Sequence, residues 1–501
     1  VPLLRDSFVK KVELELGARQ SEYSLTDSTL TWKALANVEI TDWLRFRGGF
    51  NRATRAPNLG EMFLPQQQGG PGATFTYGDP CSLLSNSPFG AGGAFTAANA
   101  TQIANDVFGG VTTPKLAPGQ TAEGAASARM ICEAQMNMLN ADPIGGTAAT
   151  YYNTQTQTVT GATGFTNQRG STTLGSEVAG TWTAGIVFQS PFENPWVSNI
   201  TTTLDWYKID IRDVIMQYSA TYAQWLCYGS VLVTTAEEAQ AQAASPGCQG
   251  VPRNTDTGVG QSTLLSYSNQ ASVSTSGVDF AINWRARLQD LGLASIPGGV
   301  SFGIQGSWLD SYKTKSSKAD FDPWVEWKGS LGPTLSGFDG GAYRYRLLTN
   351  LSYNVNAFNV ILRWRHLPSA IQAADAVMKA TIANNQRVVA TGDGVLLSYV
   401  PSSNQSVEAY DTFDLAASWT INDTVSLRAG IDNVFDKQPV LTAASNGFPQ
   451  GTDLRGLCAG KVAGCTAPTS YTLPNAGLGT TSPGFYDVMG RRYFLGARVT
   501  F

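Results

Sequence analysis

The chain has 501 residues, with 34 Lys and Arg against 38 Asp and Glu, and a mean hydropathy of −0.12. A net charge of −4 argues against a nucleic-acid binder, which needs a basic face. No stretch approaches the roughly 20 apolar residues of a membrane-spanning helix, but a β-barrel closes its backbone hydrogen bonds between strands and needs none.

The opening, VPLLRDSFVKKVELELGAR, lacks the basic start, apolar stretch and cleavage site of an export signal. Such a signal is therefore expected to have been removed, or to lie in a longer N-terminal part. Period-two alternation then begins and recurs to the end of the chain. Val12, Leu14, Leu16 and Ala18 face one way, and Lys11, Glu13, Glu15 and Arg19 the other. Phe358, Val360, Leu362 and Trp364 oppose Asn359, Arg363 and Arg365; Phe413, Leu415, Ala417 and Trp419 oppose Thr412, Asp414, Ala416 and Ser418.

About twelve strands are predicted, beginning near Phe8, Thr29, Asp42, Gly180, Asn199, Thr263, Gly298, Gly341, Phe358, Asp411, Thr424 and Gly490. Several pass ten residues, the length a tilted strand needs to cross a bilayer. Trp182, Trp206, Trp308, Tyr343 and Trp364 fall near strand ends, where an aromatic girdle meets the lipid–water boundary. A slip in the alternation over Trp206–Ile211 predicts a bulge there.

Short turns (Glu39–Asp42, Asn194–Ser198, Asn354–Ala357, Ile421–Asp423) alternate with long loops at about 56–176, 219–262, 314–340, 367–410 and 437–489. Short periplasmic turns and long extracellular loops are the pattern of outer-membrane barrels. A soluble sandwich has no physical reason to gather its long loops at one end. The fold class expected is all-β, a transmembrane antiparallel barrel.

All six cysteines fall in these loops, two to a loop: Cys81 with Cys132, Cys227 with Cys248, Cys458 with Cys465. Loop-closing disulfides in an oxidising compartment are the natural reading. The alternative, a metal site, wants close Cys or Cys/His spacing, and His366 is the one histidine. No cofactor is expected. The terminal RRYFLGARVTF places Tyr493, Leu495, Ala497, Val499 and Phe501 on one face, a lipid-facing strand ending in an aromatic.

Three segments resemble the TonB-dependent receptors of the outer membrane. The first is LRFRGGFNRATRAPNLGEMF, with Arg55, Ala56, Pro57, Asn58, Leu59 and Glu61 as its motif. The second is SLRAGIDNVFDKQP, with Asn433, Phe435 and Asp436; the third is the terminal strand with Phe501. TSGVDFAINW, from Thr275 to Trp284, is a weaker match. The resemblance implies a 22-stranded barrel with a plugged lumen, of which residues 1–501 would be the C-terminal part, the last twelve strands without the plug. It further implies capture of a scarce nutrient (a carbohydrate, a siderophore or similar) and import driven through TonB, acting by way of the missing plug. Outer-membrane lipid and lipopolysaccharide would be the surrounding partners.

Within that reading, Arg344, Arg346, Arg363 and Arg365 form a basic group on presumed lumen faces, expected to pair with acidic groups of the plug or to attract an anionic ligand. Arg52, Arg55 and Glu61 read foremost as local structure at a strand's outer end. The first long loop carries Phe63, Phe75, Tyr77, Tyr151 and Tyr152, which could stack on a neutral sugar but read foremost as residues that hold the loop together. Two other functions compete with import: a passive porin, and a twelve-stranded barrel enzyme whose one possible His base is His366.

Overall fold

The computed structural model describes residues 2–5, 9–71, 122–139, 165–255, 258–260, 262–319, 322–333, 341–371, 406–440 and 484–500, and isolated positions within 79–92, 116–121, 148–151, 373–380 and at 481. In chain order its strands are β1 (Pro2–Arg5), β2 (Lys11–Ser21), β3 (Thr29–Glu39), β4 (Leu44–Arg55), β5 (Gln67–Pro71) and β6 (Phe165–Arg169). Then come β7 (Glu177–Gln189), β8 (Thr201–Gln217), β9 (Ser262–Arg287), β10 (Gly299–Lys315), β11 (Val325–Glu326) and β12 (Tyr345–Val355). The last are β13 (Phe358–Leu367), β14 (Ala370–Ile371), β15 (Ser406–Val407), β16 (Tyr410–Thr420), β17 (Val425–Asp432) and β18 (Arg492–Val499).

One antiparallel meander runs β1-β2-β3-β4-β7-β8-β9-β10-β12-β13-β16-β17-β18, with β11, β5 and β6 attached at its outer end. The predicted strands start within about three residues of the expected positions, except that β12 begins at Tyr345 rather than Gly341. Turns at 40–43, 190–200, 288–298, 356–357 and 421–424 share one end of the sheet, and the long connections share the other. Asn356, at φ 50°, makes the tight reversal from β12 to β13. Among the described residues β1 and β18 are the two edges, so the sheet is not closed on itself.

Register assigns each side chain to a face, because cross-strand partners point the same way. One face carries Leu16, Ala34, Phe50, Trp182, Leu204, Phe280, Ile304, Leu351, Leu362, Leu415 and Leu495. Leu16 is 68 % exposed and Leu495 81 %. A continuous apolar face this bare would be an aggregation surface in water; against lipid it is the stabilising contact. Aromatic pairs border it at both ends: Trp32–Phe50 (5.0 Å), Phe50–Trp182 (4.6 Å) and Trp364–Phe413 (6.2 Å) toward the long loops, Trp43–Phe188 (5.9 Å) and Phe358–Trp419 (6.1 Å) toward the short turns.

Two expectations are corrected here. Tyr343 is not part of the girdle: it lies before β12, buried against Tyr410 and Tyr486, and donates a hydrogen bond to the Tyr486 hydroxyl at 2.9 Å. Nor is there a bulge at Trp206–Ile211, where pairing with β7 and β9 is unbroken. Register shifts instead between Ile211 and Ile215, next to Asp213 at φ 55°. Lys208 and Asp210 break the apolar pattern because they stand above the girdle, not because the strand slips.

The long loops also contain helices: Leu59–Phe63, Ala122–Leu139, Ala220–Tyr228, Ala236–Ala243 and Pro246–Gln249. Thr235 with Glu238 and Asn58 with Glu61 form reciprocal capping boxes that start two of them. The Ala-rich 122–139 segment has the propensity to be helical without help from a periodic lipid face.

Candidate functional site

The second face of the sheet is polar and concave clefts line it. One of about 610 Å³ is walled by Asp205, Asp279, Gln305, Ser307, Arg346 and Arg365, among others. A neighbour of about 1080 Å³ shares Asp205 and Asp279 and extends to Glu13, Asn37 and Arg47 on β2 to β4. Most charges here are already paired. Arg47 grips Asp205 with two hydrogen bonds of 2.7 and 2.6 Å. Gly185 makes room for that pair, since a Cβ there would fall 2.0 Å from an Asp205 carboxylate oxygen. Arg365 bonds Asp414, and Lys33 bonds Glu15.

Of the four predicted luminal arginines, register puts Arg346, Arg363 and Arg365 on this face. Arg363 donates to Asn350 at 3.2 Å, and Arg346 sits over the Tyr343 ring at 5.5 Å. Arg344 precedes β12 and lies against Gly329 instead. Sequence reasoning misses Asp205 and Asp279, although strict alternation with Tyr207 and Ala281 places them on the lumen face; it sets Asp414 on the polar face of its strand but does not single it out as the partner of Arg365.

The motif residues at the rim are structural anchors. Arg55 bridges Glu177 (2.6 and 2.7 Å) and Glu61 (3.0 and 3.1 Å), tying the Leu59–Phe63 helix to β7. Glu177 also accepts from the Ile215 amide at 2.7 Å, next to the β8 bulge. Asn58 caps the helix, while Leu59 and Phe63 point outward, 73 % and 50 % exposed. Ala56 and Pro57 lead out of β4, where Pro costs no ladder bond.

Asn433, 1 % exposed and at φ 53°, clasps the chain after β17. Its amide accepts from the Lys437 N–H (2.7 Å) and donates to the Lys437 carbonyl (3.0 Å), and its own N–H donates to Asp414 (3.0 Å). Asp436 accepts from the Arg491 amide at 2.9 Å, and Phe435 meets Phe413 edge-on at 5.4 Å. Asn433→Ala removes the clasp and leaves a Cβ residue at positive φ. It is expected to destabilise this end of β17 by about 2–4 kcal/mol. Hydrogen exchange over 430–440 should accelerate accordingly; unchanged rates would show that the clasp carries no stability.

At the long-connection end of the sheet, the first two long loops join in one folded cap. Cys81–Cys132 and Cys227–Cys248 are both disulfide-bonded, as the loop-by-loop pairing predicts. Cys458, Cys465 and Phe501 lie outside the described residues, as do Phe75, Tyr77 and Tyr152. The cap core gathers Ile131, Met136, Tyr151, Ala223, Tyr228 and the four cysteines around a buried ion pair. Arg253 holds Asp79 through bonds of 2.7 and 2.9 Å, both side chains 2 % exposed. Tyr151 and the Cys81 amide donate to Asp79 (both 2.9 Å), while Arg253 also reaches the Gly258 carbonyl (2.8 Å), Tyr228 and Gln135. Burial pushes the Asp79 carboxyl up, but the Arg253 charge and these hydrogen bonds outweigh it and hold it below its ordinary value. Tyr151 is thus a core residue of the cap, not a platform open to a sugar.

His366 shares the lipid-side face with Trp364, in phase as expected. Its Nδ1 meets Asp411 at 2.8 Å, its Nε2 meets the Tyr345 hydroxyl at 3.3 Å, and its ring stacks on Tyr345. No serine hydroxyl is among these partners, so the described residues assemble no Ser–His pair.

With this geometry in hand, a family model for the TonB dependent receptor-like β-barrel matches residues 5–100 and 142–434, well over half of the chain. The chain belongs to this family. Several solved structures resemble this TonB-dependent receptor barrel at low identity. The ferric enterobactin receptor PfeA of Pseudomonas aeruginosa, in a mutant form complexed with enterobactin, is 11 % identical, with TM-score 0.48, covering 98 % of this chain and 43 % of its own. The siderophore receptor PirA of Acinetobacter baumannii is 14 % identical, with TM-score 0.42 and coverages of 87 % and 41 %. The chain spans less than half the length of these solved structures. No curated protein matches it.

Proposed function

We propose that this chain forms the C-terminal part of an outer-membrane receptor barrel that captures a scarce nutrient outside the cell and imports it to the periplasm with energy delivered through TonB. The observation that carries this reading is the cap: two disulfide-braced loops folded together at the end of the sheet that holds the long connections, on strands whose second face is polar. A pre-ordered cap loses less conformational entropy on gripping a ligand. The two edge strands support the rest, since a sheet with open edges cannot stand in lipid. Further strands would complete the wall, and the arginines at the lumen face would meet acidic groups of a plug.

The test is the intact mass and N-terminal sequence of the protein as isolated from the outer membrane, with retention on the immobilised periplasmic domain of TonB. A species tens of kDa above 53.4 kDa that TonB retains is the expected result. A mass of 53.4 kDa with no retention would overturn the import reading.

A further inference from the structure

On the lipid-side face, at the outer end of β10, β12 and β13, Trp308, Tyr345, His366 and Trp364 form a row of touching rings. Trp308 lies parallel to Tyr345 with centroids 6.0 Å apart, Tyr345 stacks on His366 at 5.5 Å, and His366 meets Trp364 at 5.6 Å. Register builds the row, since Trp308 pairs with Tyr345, Leu347 with His366, and His366 with Asp411. Trp308 is 52 % exposed and faces the boundary of the hydrocarbon. Rings alone would be girdle. The hydrogen bonds that join them set this sector apart.

Asp411 Oδ1 meets His366 Nδ1 at 2.8 Å and accepts from the Trp364 indole at 2.7 Å. A carboxylate at Nδ1 fixes the neutral tautomer with its proton there, which leaves Nε2 as an acceptor. The group that Nε2 meets is the Tyr345 hydroxyl, 3.3 Å away. Hydroxyl, imidazole and carboxylate thus form one chain, with the His366 side chain only 16 % exposed. A tyrosine gives up an electron readily only when its phenolic proton can leave at the same moment, because the protonated phenoxyl radical is a very strong acid. A base already bonded to the hydroxyl meets that need, and Asp411 offsets the charge that the imidazole gains. Tyr353 is the contrast. It stands on the same face of the same strand near the short turns, but its hydroxyl donates to the Pro297 carbonyl at 2.7 Å, and a carbonyl is too weak a base to take the proton.

We infer that Tyr345 is a redox-active tyrosine that supplies an electron, through Trp308, to lipid peroxyl radicals at the membrane boundary. The peroxyl radical takes one electron from Trp308 and one proton from interfacial water and becomes a hydroperoxide, leaving hydroxide. Tyr345 returns the electron to Trp308 and passes its phenolic proton to His366 Nε2. A neutral tyrosyl radical then stands beside an imidazolium that faces Asp411. A thiol in the medium restores the phenol and becomes a thiyl radical: its electron goes to the tyrosyl, the proton returns from His366, and the thiol proton neutralises the hydroxide. The assignment rests on the membrane-barrel reading for its lipid surroundings and on nothing in the lumen.

The test places the full-length receptor in phosphatidylcholine vesicles, with a lipid-soluble azo initiator as the peroxyl source and a nitroso spin trap. Mass spectrometry locates the trapped radical. In the wild type the adduct should concentrate on Tyr345 and leave Tyr353 nearly clean. His366→Phe keeps a ring but removes the base, and should cut the Tyr345 adduct on the order of a hundredfold, with Trp308 carrying it instead. His366→Gln keeps a hydrogen-bond acceptor that is no base, so it separates proton transfer from a structural role and should lose the adduct as the Phe variant does. Equal adducts on Tyr345 and Tyr353 in the wild type, or a Tyr345 adduct that survives His366→Gln, overturns the assignment while leaving the receptor reading intact. A wild-type protein that inserts into no vesicle overturns the membrane reading and this assignment together.

Discussion

Replacing Arg253 with Met will open the loop cap while the strands stay paired. The side chain keeps much of its length, so packing loss is small and charge loss dominates. Asp79 is left buried with no counter-charge, and the Gly258 carbonyl and the Tyr228 and Gln135 side chains lose a shared donor. Breaking a buried pair from one side costs about 3–5 kcal/mol. Because the pair joins residues from two different loops, the cost falls on their association. Amides of the Ala122–Leu139 helix should exchange about two to four orders of magnitude faster, with β12, β13 and β16 unchanged. Helix exchange at the wild-type rate would remove the ion pair from any role in holding the cap.

The same pair sets a pH signature whose sign distinguishes charge from packing. In the wild type, Asp79 is held below its ordinary 3.8. Its contribution is present in full above that value. Below it the unfolded chain takes up the proton first, and stabilisation is lost as pH falls through the depressed folded value. The wild-type cap should therefore loosen in acid. Without Arg253, burial, the largest influence on Asp79, is opposed only by the hydrogen bonds from the Cys81 amide and Tyr151, so its pKa rises and the Met variant should gain stability on acidification. Opposite slopes in the two proteins, read by exchange of the same helix, are the expected outcome; parallel slopes would mean that another group controls the acid response.

The strands were legible in the sequence and the cap was not, for one physical reason. Lipid imposes a strict period of two on any residue that must face it, so Phe358 to Trp364 and Phe413 to Trp419 announce both strand and face. The reading fails where lipid ends. Lys208 and Asp210 lie beyond the girdle, and their polarity mimics a bulge that sits a few residues later. Tyr343 carries the right side chain at nearly the right place, but Tyr486, far along the chain, covers it. Asp79 and Arg253 are 174 residues apart in loops with no period at all, so nothing local marks them as partners. The cysteines were the exception within the cap, because an even number segregated by loop is a signal that needs no periodicity. The rim motifs were visible as motifs, and the structure shows what the Arg55, Asn58, Glu61 and Asn433 side chains hold in place.

Removing the Cys81–Cys132 bond will weaken the cap more than removing Cys227–Cys248. The first closes a sequence separation of 51 residues and the second one of 21. Loop-closure entropy then assigns about 4 kcal/mol to the longer and about 3 kcal/mol to the shorter. The longer bridge has a second consequence. It pins Cys81, whose amide donates to Asp79, to Cys132 on the helix that also carries Gln135, a partner of Arg253. Cys81→Ala/Cys132→Ala should therefore be less than additive with Arg253→Met, because each change already loosens what the other would release. Cys227→Ala/Cys248→Ala should be closer to additive, since that bridge touches neither member of the ion pair directly and reaches Arg253 only through Tyr228 and through Gln135, which donates to the Cys248 carbonyl at 3.3 Å. Exchange of the Ala122–Leu139 amides across the three variants and their combinations measures both couplings. Zero coupling for both bridges would mean that the ion pair and the disulfides stabilise the cap independently, and equal non-zero couplings would mean that the contact between the Cys81 amide and Asp79 gives the longer bridge no special role.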